Sequence, residues 1–192
     1  MEGQVPLGDA AGGRGGEKGD AMRRLLILLA SMSLGWWLTP AAPAAGGAAA
    51  PPAPGFDRMK TLVGAWEGAG PQGALTTTIR LVSNGTAIEE IFQTGKDDQM
   101  VTLYTPDGNR LALTHYCSAG NQPRMETPAV AAADEEYVFS YVGITNLASP
   151  DAGHMQGLVM RIADADHFSE QWIWRDKGQD KASVFHFTRK KA

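Results

Sequence analysis

The chain of 192 residues contains one cysteine. A single thiol excludes an internal disulfide framework, and no second cysteine or closely spaced histidine completes a four-ligand structural zinc set around it. Positive charge is also scarce: 17 Lys plus Arg face 21 Asp plus Glu, for a net charge of −4. Apart from Arg189-Lys190-Lys191 at the end there is no basic cluster, so a nucleic-acid partner is not expected. Long apolar runs are missing too. The longest, Leu25 to Leu38 (LLILLASMSLGWWL), has 14 residues, whereas a helix needs about 20 to cross a bilayer core.

That short run has an explanation in its flanks. It follows Arg23-Arg24 and precedes Thr39-Pro40-Ala41-Ala42-Pro43-Ala44-Ala45, the basic, apolar and small-residue order of a secretory signal peptide. The expected layout is an extension over 1–21 with the true start at Met22, a signal peptide over 22–44, a linker over 45–55 (AGGAAAPPAPG) and a folded domain over 56–192. The expected address is therefore secreted or periplasmic, by a bacterial Sec-type signal, with no stable membrane span after cleavage. From Ala45 onward 13 basic and 17 acidic residues remain, so the domain carries the whole net charge.

Helical periodicity appears once, where Phe56, Met59 and Leu62-Val63 recur over one or two turns before Gly64. Everything after Ala65 alternates in short β-rich runs between turn residues. Leu75 to Val82 and Thr86 to Phe92 flank Ser83-Asn84-Gly85, and Asn-Gly accepts the two positive φ angles of a type I′ hairpin turn. Further strands are read at Met100 to Thr105, Arg110 to Cys117, near Arg124 to Thr127, Glu136 to Ile144, His154 to Ile162, His167 to Arg175 and Lys181 to Arg189. Asp164-Ala165-Asp166 reads as a tight turn, since the other oxygen ligands of a calcium loop are missing. The expected fold is all-β: an antiparallel barrel of about eight to ten strands behind a short N-terminal helix, closure removing exposed sheet edges.

Gly64-Ala65-Trp66, after the short helix and at the start of the first strand, resembles the Gly-x-Trp signature of the lipocalin and fatty-acid-binding (calycin) barrels. The resemblance implies a structural role for Gly64, Trp66 and Arg189, the last packing its guanidinium across the Trp ring at the closed end of the barrel. More broadly, Leu62 to Gly68, the Leu113 to Cys117 strand and the ending from Trp172 to Arg189 look like the uncharacterised secreted bacterial proteins of the DUF1579 type. Nitrobindin-type calycin barrels hold heme iron through one axial histidine, and on that resemblance His154 and His186 are the residues to inspect. Fold alone does not assign a function.

Candidate site residues follow from strand geometry. His115 and Cys117 lie two apart, so they leave the same face as Leu111 and Leu113; they are candidate ligand contacts, with core packing as the alternative. Gly120-Asn121-Gln122-Pro123-Arg124 is the densest run of hydrogen-bonding side chains on a loop, placing Asn121 and Arg124 as candidates at a barrel mouth; the alternative is a turn whose Arg124 pairs with Glu126. Glu170, Trp172 and Trp174 share a face, and an inward Glu170 is expected to pair with Arg124 or His115 because an unpaired buried carboxylate is costly. No catalytic residue, metal or cofactor is assigned, and the chain is not read as an enzyme. The expected partner is a small hydrophobic or amphipathic ligand, with a filled interaction barrel or a heme- or metal-binding barrel as alternatives.

Overall fold

The computed structural model describes residues 54–95 and 98–191. The signal peptide, the start at Met22 and most of the linker lie outside the described residues. Among the described residues, helix α1 (Pro54–Lys60) is followed by ten strands: β1 (Gly64–Gly70), β2 (Gly73–Val82), β3 (Ala87–Gln93), β4 (Gln99–Asp107), β5 (Arg110–Tyr116), β6 (Gln122–Glu126), β7 (Glu136–Thr145), β8 (His154–Ile162), β9 (His167–Asp176) and β10 (Gln179–Arg189). Each strand pairs antiparallel with the next, and β10 returns to β1, so the meander closes into a barrel. Closure gives every described strand a neighbour on both sides.

Turn chemistry sets the registers. Asn84 (φ 54°, ψ 33°) and Gly85 (φ 86°) form the central pair of the β2–β3 hairpin, with the Thr86 N–H donating to the Ser83 carbonyl over 3.2 Å. This is the type I′ geometry read from Asn-Gly. Ser83 is also at positive φ (52°) in that four-residue loop, whereas Lys177 (φ 49°) and Gly178 (φ 75°) form a two-residue loop between the paired Asp176 and Gln179 of β9 and β10. Between β8 and β9 the Asp164 carboxylate accepts hydrogen bonds from the Asp166 N–H at 2.7 Å and from His167 Nδ1 at 2.9 Å, a self-contained turn.

Alternation then decides the interior. On β5, Leu111, Leu113 and His115 are buried, and on β9, Phe168, Glu170 and Trp172 are buried. One end of the barrel is plugged: α1 presents Phe56 and Met59 to it, and Leu62 follows on the next turn, all essentially sealed from solvent. Trp66 sits beneath them, its indole N–H donating to the Leu62 carbonyl over 2.8 Å and its ring edge-on to Phe168 at 4.7 Å.

The outer end of Trp66 is covered by Arg189, whose guanidinium carbon lies 4.1 Å from the Trp66 ring centroid. The same guanidinium donates to the carbonyls of Ala165, Val63 and Thr61 at 2.8, 2.9 and 2.7 Å. It thus ties α1, β1 and the β8–β9 turn together at one point. Gly64 makes this possible: its φ is +148°, a conformation L side chains rarely adopt, and a Cβ there would lie 2.5 Å from Arg189 Nη1. The three residues of the signature are one steric unit.

Candidate functional site: the cavity at the open end

Opposite the plug, the barrel interior contains a cavity of about 340 Å³. Its wall is apolar and aromatic, with Phe92, Trp172, Trp174 and Phe185 joined by the thioethers of Met100 and Met155. Thr102, His115 and Cys117 supply polar or soft atoms, and Asp98 and Lys181 also line it. These side chains come from β3, β4, β5, β8, β9 and β10, so no local stretch of sequence contains the site.

His115 and Thr102 are the buried polar residues on this wall, 2% and 1% exposed. His115 Nδ1 lies 2.9 Å from the Thr102 hydroxyl, and the imidazole packs against Trp172 with centroids 4.6 Å apart. Its Nε2 is buried without a partner. Burial in this apolar setting lowers the imidazole to about 4, so the ring is neutral at physiological pH. Cys117 follows β5 on the same wall, half-buried, and burial pushes its thiol up. It is therefore a poor nucleophile.

The next layer inward was not anticipated. Glu170 is completely buried and points into the barrel, but neither Arg124 nor His115 is its partner. It meets Glu90, equally buried on β3. The Tyr104 hydroxyl donates to Glu90 Oε2 at 2.7 Å and reaches Glu170 Oε1 at 3.4 Å. Thr77 donates to Glu90 Oε1 at 2.9 Å, and the Trp172 indole N–H donates to Glu170 Oε2 at 2.9 Å. Burial raises both carboxyls, and the neighbouring Glu90 pushes Glu170 further, well above the usual carboxylate range. The two carboxyls titrate as one coupled pair, with Glu170 the more strongly raised member and Glu90 accepting from Tyr104 and Thr77. Burial beside the two acids also raises Tyr104 well above its ordinary value, keeping it a donor. Glu90 was missed because β3 carries Glu89 and Glu90 side by side, each with an isoleucine on its own face.

Other candidates stand apart from the cavity. Asn121 is buried, but its Nδ2 donates to the Gly153 carbonyl over 3.0 Å. Its work is to pin the segment entering β8, where Gly153 packs so closely that a Cβ would lie 2.2 Å from the Trp174 ring. Arg124, expected at the mouth, is exposed on the outer face of β6, its guanidinium over Gly143 of β7. Nor does it hold Glu126, whose carboxylate accepts from Arg110 at 2.7 Å. Regular alternation along this short strand turns Pro123 and Met125 inward and Arg124 out, and the register shift is taken up on β7, where Val142 is passed over. His154 bonds the Ala152 carbonyl at 2.9 Å and lies 3.2 Å from the Gln156 side-chain oxygen, away from the cavity wall, and His186 is exposed on β10. Among the described residues, no three His, Cys, Asp or Glu side chains group as a metal site.

The fold places the molecule among closed ten-strand antiparallel barrels with one helix at the plugged end. A solved structure similar to it is that of Rv2717c from M. tuberculosis, at a TM-score of 0.51 and 16% identity, covering 73% of this chain and 100% of that one. At that identity the likeness concerns the fold. No family model matches the chain, and no curated protein matches it.

Proposed function

We propose that this is a secreted barrel of the calycin type that binds a small, partly apolar molecule in its open end. The observation that carries the reading is the cavity of about 340 Å³, within the range of pockets that enclose small ligands, about 300 to 1,000 Å³. A barrel that only filled itself with side chains would close this space, as Trp66, Phe168 and Phe187 do at the other end. The Gly64, Trp66 and Arg189 unit supports the calycin reading, and the likeness to secreted bacterial proteins of the DUF1579 type rests on the sequence pattern around it. Export rests on the signal-peptide layout.

Native mass spectrometry with an absorption spectrum, on the domain purified from an exporting host, tests the proposal. The expected result is a non-covalent adduct of a small organic molecule, lost in a variant whose cavity is blocked by Ser183→Trp. A bare polypeptide mass, together with no uptake of an apolar fluorescent probe, would refute it, and a Soret band would place a heme there instead.

A further inference from the structure

The inner end of the cavity holds one uncommitted polar atom, and that atom indicates the chemistry of what fits against it. Among the described residues, the buried side-chain nitrogens and oxygens without a partner are Arg58 Nε, His115 Nε2 and Asn121 Oδ1, and only His115 lines the cavity. Its neighbours on the wall are already engaged: the Thr102 hydroxyl with His115 Nδ1, and the Trp172 indole N–H with Glu170. A buried nitrogen left without a partner is costly, so its complement is expected in the occupant.

We propose that the cavity takes an aromatic alcohol of the phenol class, its hydroxyl hydrogen-bonded to His115 Nε2 and its ring held among Trp172, Trp174, Phe92 and Phe185. The inference rests on the reading that the cavity holds a ligand, and it names the ligand's class. A hydroxyl donates and accepts, so it satisfies Nε2 whichever ring nitrogen carries the proton. The imidazole is neutral, and the cation on the wall, Lys181, is exposed on β10 rather than deep in the barrel. A carboxylate pushed inward would therefore lose its hydration without gaining a counter-charge, and it would approach the buried Glu90 and Glu170. An ammonium group fares no better. The acid pair is sealed behind the wall and already receives hydrogen bonds from Thr77 and Tyr104, with Trp172 bonded to Glu170. A flat ring suits the rest of the wall, since aromatic side chains favour offset or edge-on contact with another ring.

Four probes sharing one ring system separate the possibilities: 1-naphthol, naphthalene, 1-naphthoate and 1-naphthylmethylammonium, each titrated by calorimetry into the whole protein at neutral pH. The expected result is that 1-naphthol binds at least tenfold more tightly than the other three. In His115→Phe the naphthol-to-naphthalene ratio should fall to about one. If that variant does not fold, the ¹⁵N shift of His115 Nε2 in the unaltered protein should move on adding 1-naphthol and stay put on adding naphthalene. Equal binding of naphthol and naphthalene, or a still Nε2 shift, would overturn the role of His115 while leaving the ligand cavity standing. Tighter binding of the carboxylate or ammonium probe would overturn the ligand class. Failure of all four to bind would overturn both this inference and the reading it rests on.

Discussion

The Glu90 and Glu170 carboxyls, one from β3 and the other from β9, meet inside the barrel under the Tyr104 hydroxyl, which lies 2.7 Å from Glu90 Oε2 and 3.4 Å from Glu170 Oε1. Two carboxylates buried this close together do not both stay charged, since burial and mutual repulsion each favour protonation. Protonation resolves the conflict, and it makes the stability of the fold depend on pH.

Glu170→Gln mimics the protonated acid: its amide can donate to Glu90 and its carbonyl can accept from Trp172. Because the folded value of Glu170 is raised, the native state retains a proton that the unfolded chain releases above about pH 4.5, the ordinary glutamate value. The parent protein therefore loses stability as pH rises through that window, by at most about 1.4 kcal/mol per pH unit from this group. The glutamine variant has no such loss. Urea unfolding from pH 4 to 8 should show its stability rising relative to the parent as pH increases, and parallel curves would count against a protonated Glu170.

His115 acts in the opposite sense. Its folded value is lowered to about 4 from an ordinary 6.5, so between those values the unfolded chain binds the extra proton and stability is lost as pH falls. The ceiling is again about 1.4 kcal/mol per pH unit. Between pH 4.5 and 6.5 the two slopes oppose each other in the parent. His115→Phe should expose the falling limb of the Glu90 and Glu170 pair. In Glu170→Gln the rising limb of His115 is opposed by Glu90 alone, so the slope of the second variant should lie above that of the first in one series of urea melts.

Gly64→Ala should cost about 1 to 3 kcal/mol, since it combines an unfavourable positive φ with a clash. The clash is with Arg189 Nη1, 2.5 Å from the added Cβ. In an Arg189→Ala background the steric part disappears and the conformational part remains. The double-mutant cycle should therefore show coupling of about 0.5 kcal/mol or more between the two sites, and strict additivity would mean that the close approach carries no energy.

Cys117 lies half-buried on the cavity wall with its thiol raised. Alkylation by iodoacetamide at pH 8 should run several-fold more slowly than that of free cysteine, because less thiolate is present. Saturating 1-naphthol should slow it further. An unchanged rate in the presence of bound naphthol would place the probe away from this wall.

Arg124→Ala should leave naphthol binding unchanged and shift stability by no more than about 0.5 kcal/mol, as expected for a surface position. The calorimetric titration that reports on His115 checks this directly.

Much of the scaffold could be read along the chain. Asn84-Gly85 announced a type I′ turn because few residues tolerate those backbone angles, and the alternation of Phe168, Glu170, Trp172 and Trp174 put them on one face. His115 and Cys117 were placed together by the same period. Two features escaped. The partner of Glu170 comes from a strand six positions earlier in the meander, and β3 offers two adjacent glutamates with isoleucine on either face. Arg124 was misplaced because its strand is only five residues long, so a local pattern had too few residues to show which side faced inward.

The amino-acid sequence by itself determined the local grammar of this protein: about eight to ten short strands between turn residues, one helical turn ahead of Gly64, and an alternation that gives the strands an apolar face. Those properties arise from φ preferences and a two-residue period, which act between near neighbours. Only the tertiary structure decided that Glu90 would face Glu170, that His115 Nε2 would be left without a partner on a cavity wall, and that His154, His186 and Arg124 would stand away from it. These depend on how β1 and β10 close the barrel, because closure fixes which inward side chains meet across the interior and which end remains open.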